Sequence, residues 1–263
     1  VLLCGFGAHP DRTALADHQR LSLRVTQRAE VHHQRLRVSA PDQLSGAVGN
    51  DGITTSADVA KVDYAGAVDA TSGRWSQWRL GEASTASPMD DVSPTNNNGT
   101  YFNAPTAGIA GGIGNDPNTA VSFDGVDDYA TAARQIDANF SIEFWVKTTQ
   151  NFSGDPFGLP ACSQWWMGAG LVDADLAGGA QDFGVSMCSG KIIAGVGIPE
   201  VSLVSSGTYN DNLWHHVVFT RTQASGALVL YVDGAQVATG TGNTGLLNSQ
   251  ATLNFGRMAF GAN

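Results

Sequence analysis

Catalysis by side chains needs acids, bases or nucleophiles at fixed spacing, and this chain offers few. Glycoside hydrolysis uses two carboxyl groups about 5–9 Å apart. Glu143 stands alone on its segment, and Asp173-Ala174-Asp175 has no Glu after it. His215 and His216 follow Trp214 directly. Adjacent strand residues face apart, and no Ser or Cys nucleophile motif accompanies them, so this pair reads as framework. His32 and His33 fail as a two-ligand metal site for the same geometric reason and read as solvated polar residues.

Binding chemistry is better represented. Asp90 and Asp91 with Asn96–Asn98, and Asp124 with Asp127 and Asp128, gather hard oxygen donors that suit Ca²⁺. Tight turns recruit the same residue types for their backbone conformation. Asp173-x-Asp175 does not fit a helix–loop–helix calcium site, because Ala177 and Gly184 stand where oxygen donors are needed. Trp165 and Trp166 are neighbours, so on a strand one faces the core and the other the outer surface. An outward indole stacks on a sugar ring, with Gln164, Asp173 and Asp182 at hand to fix hydroxyls. The bland reading has both covered by the long loop 151–163. Trp145, between Glu143 and Lys147, is a weaker candidate of the same kind. Asn98, Asn139 and Asn151 head formal glycosylation sequons.

These residues sit in a chain of 263 with 32 Gly and only 14% charged residues. No apolar run approaches the roughly 20 residues of a spanning helix, so no membrane span is expected. Short strands joined by tight turns fit better than helices. The net charge of −10 argues against a nucleic-acid partner. Period-2 alternation is clearest in Phe140–Lys147, where Ile142, Phe144 and Val146 oppose Glu143, Trp145 and Lys147. Strands are also expected at Gln77–Glu82, Thr119–Phe123, Tyr129–Ala132, Gln164–Asp173, Asp182–Met187, Lys191–Gly197, Trp214–Thr222, Ala227–Asp233 and Gln236–Thr239.

The N-terminal region differs. Arg12, Arg20, Arg24, Arg28, Arg35 and Arg37 make it basic, while the rest is acidic. Residues 1–45 read either as a hairpin (20–26 with 34–39) or as a disordered or mistranslated segment, being rich in Arg, His, Gln and Leu without Lys. Residues 46–61 read as a linker, and 62–263 as the main domain. No secretory signal is visible. Cys162 and Cys188 either pair in a secreted product or stay as buried thiols.

Four stretches, QWRLGE with NNNGTY following, TAVSFDGVDDYA, FSIEFWVKT, and LWHHVVFTR with GALVLYVDG, resemble the laminin-G-like domains of the concanavalin A-like lectin/glucanase superfamily. The resemblance covers about residues 62–261 and implies an all-β, two-sheet antiparallel jelly-roll sandwich. Glucanases of that superfamily carry carboxylates at i, i+2 and i+4 or i+5 on one strand. No Glu-x-Asp-x-(x)-Glu pattern occurs here, so no enzyme is expected. Relatives end on a closing strand that pairs beside the first strand. It has no counterpart after Phe260-Gly261, so Gln77–Glu82 is expected to keep one open edge. The resemblance also implies a structural calcium ion near Asp90 and Asp91, and no required cofactor. It implies a part of a larger extracellular or cell-surface protein, binding glycan or an extracellular matrix or cell-wall polymer. The other reading is a structural spacer with no ligand.

Overall fold

The computed structural model describes residues 2–7 (backbone), 68–69, 71–113, 116–153 and 162–259. The expected hairpin and linker of the N-terminal region lie outside these residues. In chain order the strands begin with β1 (Leu2–Gly7), β2 (Arg74–Trp78), β3 (Thr100–Phe102), β4 (Thr106–Ala110) and β5 (Thr119–Ser122). Next come β6 (Tyr129–Ala133), β7 (Phe140–Val146), β8 (Ala169–Asp173), β9 (Phe183–Cys188) and β10 (Lys191–Val196). The last are β11 (Val201–Val204), β12 (His215–Thr222), β13 (Ala227–Val232), β14 (Ala235–Thr241) and β15 (Thr252–Phe255).

They form two antiparallel sheets, the layers of a jelly-roll β-sandwich. The first runs β14-β13-β12-β7-β1-β5-β4 with β2 paired to β1, and the second β11-β10-β9-β8-β15-β6-β3. The core is built by alternation. Phe140, Ile142, Phe144 and Val146 of β7 are buried, and so are Phe183, Val185 and Met187 of β9 across from them. Phe140 and Phe183 meet at 4.7 Å between ring centroids, and Trp78 meets Phe255 edge-on at 5.2 Å. Both contacts are aromatic pairs of favourable tilt.

One strand arrives from an unexpected place. β1 pairs with β7 from Leu2↔Val146 to Gly7↔Ser141 and with β2 from Cys4↔Trp78 to Gly7↔Arg74. Residues 2–7, a segment the sequence places outside the sandwich, pair the strand expected at Gln77–Glu82 on one side. Beyond the single bridge Trp78↔Asp91, β2 has no second strand partner among the described residues, so one edge stays open as expected. The strand itself sits earlier, at Arg74–Trp78, and Leu80 adopts φ 55° beyond it.

Polar groups buried in the sandwich are structural. Arg221 is fully buried on β12, and its guanidinium donates to the carbonyls of Asp137, Ala138, Asn243 and Gly245. Burial pulls its pKa below the ordinary value, partly opposed by the nearby Asp137 charge. His215 is held between two carboxylates, Nδ1 at 2.8 Å from Asp233 Oδ2 and Nε2 at 3.0 Å from Asp211 Oδ1. His216 Nε2 lies 2.9 Å from Glu143 Oε1. The two imidazoles thus have separate partners, as their adjacency on a strand requires.

Candidate functional site

The site lies on the outer face of the second sheet and begins with two glycines. Gly184 of β9 and Gly195 of β10 are direct cross-strand partners. Together they leave a bare patch of backbone. A methyl group at Gly195 would stand 2.3 Å from Trp165 Cδ1, and one at Gly184 2.6 Å from Trp165 Cζ3. The Trp165 indole therefore lies flat on a two-glycine floor and is fully buried.

The segment carrying it is not the strand that sequence suggests. Trp165–Met167 is a single 3-10 turn, entered from Gln164 and left at Gly168, before β8 begins. Trp165 N donates to Ser202 Oγ at 2.9 Å, and Ser202 Oγ donates to Gln164 Oε1 at 3.2 Å. Ser186 Oγ donates to the Trp165 carbonyl. A disulfide joins Cys162 to Cys188 of β9, tying the segment to the sheet at its other end. Trp165, Cys188, Ile193 and Met258 form a second small core there, with Phe152, Cys162 and Trp166 packed against it. Residues 162–168 thus make a strap across this face. All six residues of β9 are buried because both of its faces are covered.

Carboxylates gather at one end of the strap. Glu200 Oε1 accepts from Trp165 Nε1 at 2.6 Å, and its carboxylate also accepts from Trp166. The Asp175 and Asp182 side chains interact, which by itself lowers the pKa of Asp175 and raises that of Asp182. Asp182 Oδ2 also accepts from Leu176 N at 3.1 Å. Burial pushes the Asp182 pKa up to about 7, helped by the Asp175 and Glu200 charges and opposed by the Leu176 N–H. Burial likewise raises Asp175 and Glu200. Asp173 is fully enclosed, accepting from Asp175 N and Ala259 N at 2.8 Å each. Burial raises its pKa to about 7 against those two bonds.

The structure thus brings Gln164, Trp165, Trp166 and Asp182 into one neighbourhood, adds Asp175 and Glu200, and closes Asp173 beneath it. Trp166 is the half-buried indole of the pair and Trp165 the covered one. Nothing in the sequence singles out Glu200. It reaches the indoles only because β10 and β11 fold back, and nothing local to Ile-Pro-Glu signals this.

The acidic turns have different characters. Asp91 is nearly buried and its carboxylate is saturated by protein donors. Oδ1 accepts from Gln77 N and Ser93 N, and Oδ2 from Ser93 Oγ, Thr95 Oγ1 and Asn97 N, all at 2.8–2.9 Å. Burial would raise its pKa, but these bonds outweigh it and hold it low. Such a carboxylate fits a loop clamp better than an ion. Asp90 is exposed. Asp124, Asp127 and Asp128 each offer an oxygen within 4.8 Å of the others. Asp124 Oδ1 there also accepts from Val126, Asp127 and Asp128 N–H groups, as an Asx turn does.

Comparison with solved structures finds mouse laminin α1 chain domains LG4-5 at 16% identity and a TM-score of 0.36, covering 47% of this chain and 29% of that one. The binding domain of botulinum neurotoxin DC, solved in complex with SialylT, matches at 14% identity and a TM-score of 0.45, covering 64% and 40%. A heptameric SAP-like pentraxin from Limulus polyphemus matches at 12% identity and a TM-score of 0.35, covering 50% and 59%. The chain therefore spans less than two thirds of each of these relatives. No curated protein matches the sequence. The profile of the Laminin_G_3 family, described as concanavalin A-like lectin/glucanases superfamily, matches residues 123–263. That match takes in more than half of the chain, and with the two-sheet sandwich it makes this protein a member of the concanavalin A-like lectin/glucanase superfamily.

Proposed function

We propose that this chain is a non-catalytic glycan-binding module of an extracellular or cell-surface protein. The observation that carries the reading is the strap. It holds Trp166 half-buried against Glu200, next to Gln164 in the chain and with Asp182 close to Glu200, an apolar face with polar acceptors of the kind a sugar ring requires. The disulfide supports an oxidising compartment. Among the described residues no helix is long and apolar enough to cross a membrane. The partner in this reading is a glycan or a matrix or cell-wall polymer, bound by one module of a larger protein.

A glycan array probed with the whole chain, followed by calorimetry on its hits, tests the reading. Trp166→Ala is expected to weaken binding about tenfold, the loss of one stacking contact of roughly 1.4 kcal/mol. A wild-type chain without hits, or a Trp166→Ala variant that binds equally well, would remove it.

The spacer reading has its own support, since the strap already covers part of the second sheet and Trp165 is wholly enclosed. A structural calcium ion belongs to either reading, at Asp124–Asp128 in preference to Asp91. A Ca²⁺-dependent rise in melting temperature that Asp127→Asn abolishes would support it, and no rise would count against it.

A further inference from the structure

β1 enters from far away in the sequence and still occupies the interior of the first sheet. One side is bonded along Ser141–Val146 of β7, and the other along Arg74–Trp78 of β2 and, at Leu2, to Val121 of β5. Without it two strand edges would face each other across a gap of about 9.6 Å, twice the strand spacing and room for one strand. Such a slot is read mainly by backbone hydrogen bonds, which accept any extended segment of suitable length. Leu-Leu-Cys-Gly-Phe-Gly suits it, carrying no charge that a sheet interior would have to desolvate. The connection from β1 to β2, residues 8–73, could reach roughly 220 Å if fully extended. A sandwich of this size has a radius of gyration of roughly 16 Å. Chain length therefore does not tie β1 to its own slot.

We propose that the slot between β2 and β7 is an assembly site for a second copy of this chain. Each copy lays Leu2–Gly7 into the slot of its partner, giving a two-fold strand-exchanged dimer. The ladder bonds are the same in the closed monomer and in the dimer, so mass action sets the balance. The dimer gains as protein concentration approaches the effective concentration of β1 at its own slot. That value is about millimolar for short linkers and falls as roughly the −3/2 power of linker length.

The test uses the whole chain with Cys4→Ser, which removes a disulfide through Cys4 as another source of dimers. Unlabelled and ¹⁵N-labelled protein are mixed at about 1 mM, briefly heated, cooled and weighed by native mass spectrometry. Mixed-mass dimers that revert to monomer after reheating at about 1 μM are expected. Gly5→Pro, which lacks the N–H of a residue paired on both sides, is expected to abolish them. Monomers alone at every concentration, or dimers that Gly5→Pro leaves intact, would overturn the proposal. If Gly5→Pro does not fold, a labelled peptide of residues 1–10 replaces it. Its incorporation during heating and cooling, with slowed hydrogen exchange at Ser141–Val146, supports an exchangeable slot, and its exclusion overturns it.

Discussion

Gly195→Ala tests whether the two-glycine floor positions the candidate site. Gly195 does not have a positive φ, so alanine meets no backbone strain there and the substitution acts through space alone. The new methyl would lie 2.3 Å from Trp165 Cδ1 and 2.3 Å from the Val201 carbonyl oxygen. Ordinary carbon contacts begin near 3.5 Å, so the overlap exceeds 1 Å on both sides. Val201 O belongs to the β10–β11 ladder and yields little, which leaves the indole to lift. Lifting it draws Trp165 Nε1 away from Glu200 and carries Trp166 along. Overpacking of this kind costs about 2 kcal/mol, a fall in Tm of roughly 4–8 °C for a domain of this size. Thermal melts, tryptophan fluorescence and glycan calorimetry read the three consequences together. An unchanged melting temperature with unchanged fluorescence would refute the floor argument. A lowered melting temperature with full glycan affinity would refute the link between strap and ligand.

Two further outcomes follow from the same geometry. Replacing Cys162 and Cys188 by Ser opens a loop with a sequence separation of 26 and should cost about 3.5 kcal/mol in the chain-entropy view, measurable by denaturant titration. A loss below about 1 kcal/mol would mean the strap is held by its hydrogen bonds alone. Stability should also fall as pH rises from about 4 to 8. Asp173 and Asp182 have folded pKa values raised to about 7, so their contribution is complete below the ordinary carboxylate range and is lost as pH rises through 7. For His215 burial lowers the pKa, but the Asp233 and Asp211 bonds prevail and raise it, so its contribution is lost in the same direction. Asp211 has a lowered pKa and acts oppositely, its contribution being lost only as pH falls through that value. Melts across this range on wild type and Asp182→Asn should show a shallower slope for the variant, and equal slopes would contradict the assignment.

The sequence reveals strands best where one face is wet. Phe140–Val146 matches its expected span to within one residue, and so does His215–Thr222, because alternation records a core on one side only. β9 was also found, although its burial on both faces shows in the sequence only as small residues, Gly184 and Ser186, under the strap. The strap departs from the strand expected at Gln164–Asp173. Gln164–Met167 has a strand-like run of bulky residues, but tertiary contacts to Ser202, Glu200 and the glycine floor fix it as a 3-10 turn. No local pattern reports a partner that lies 35 residues away, as Glu200 does from Trp165. Asp91 shows the same limit from the other side. Its residue type suits an ion, and only the five converging donors disclose a clamp.

The remote origin of β1 also bears on how the protein folds during synthesis. Leu2–Gly7 is synthesised well over a hundred residues before its main partner, Ser141–Val146. Until then the segment has no ladder to join, and afterwards β7 and β2 present open edges until it returns. A central strand closed by so distant a contact raises contact order and slows folding. Over that interval the unpaired edges are the surface on which misassembly between nascent chains would start.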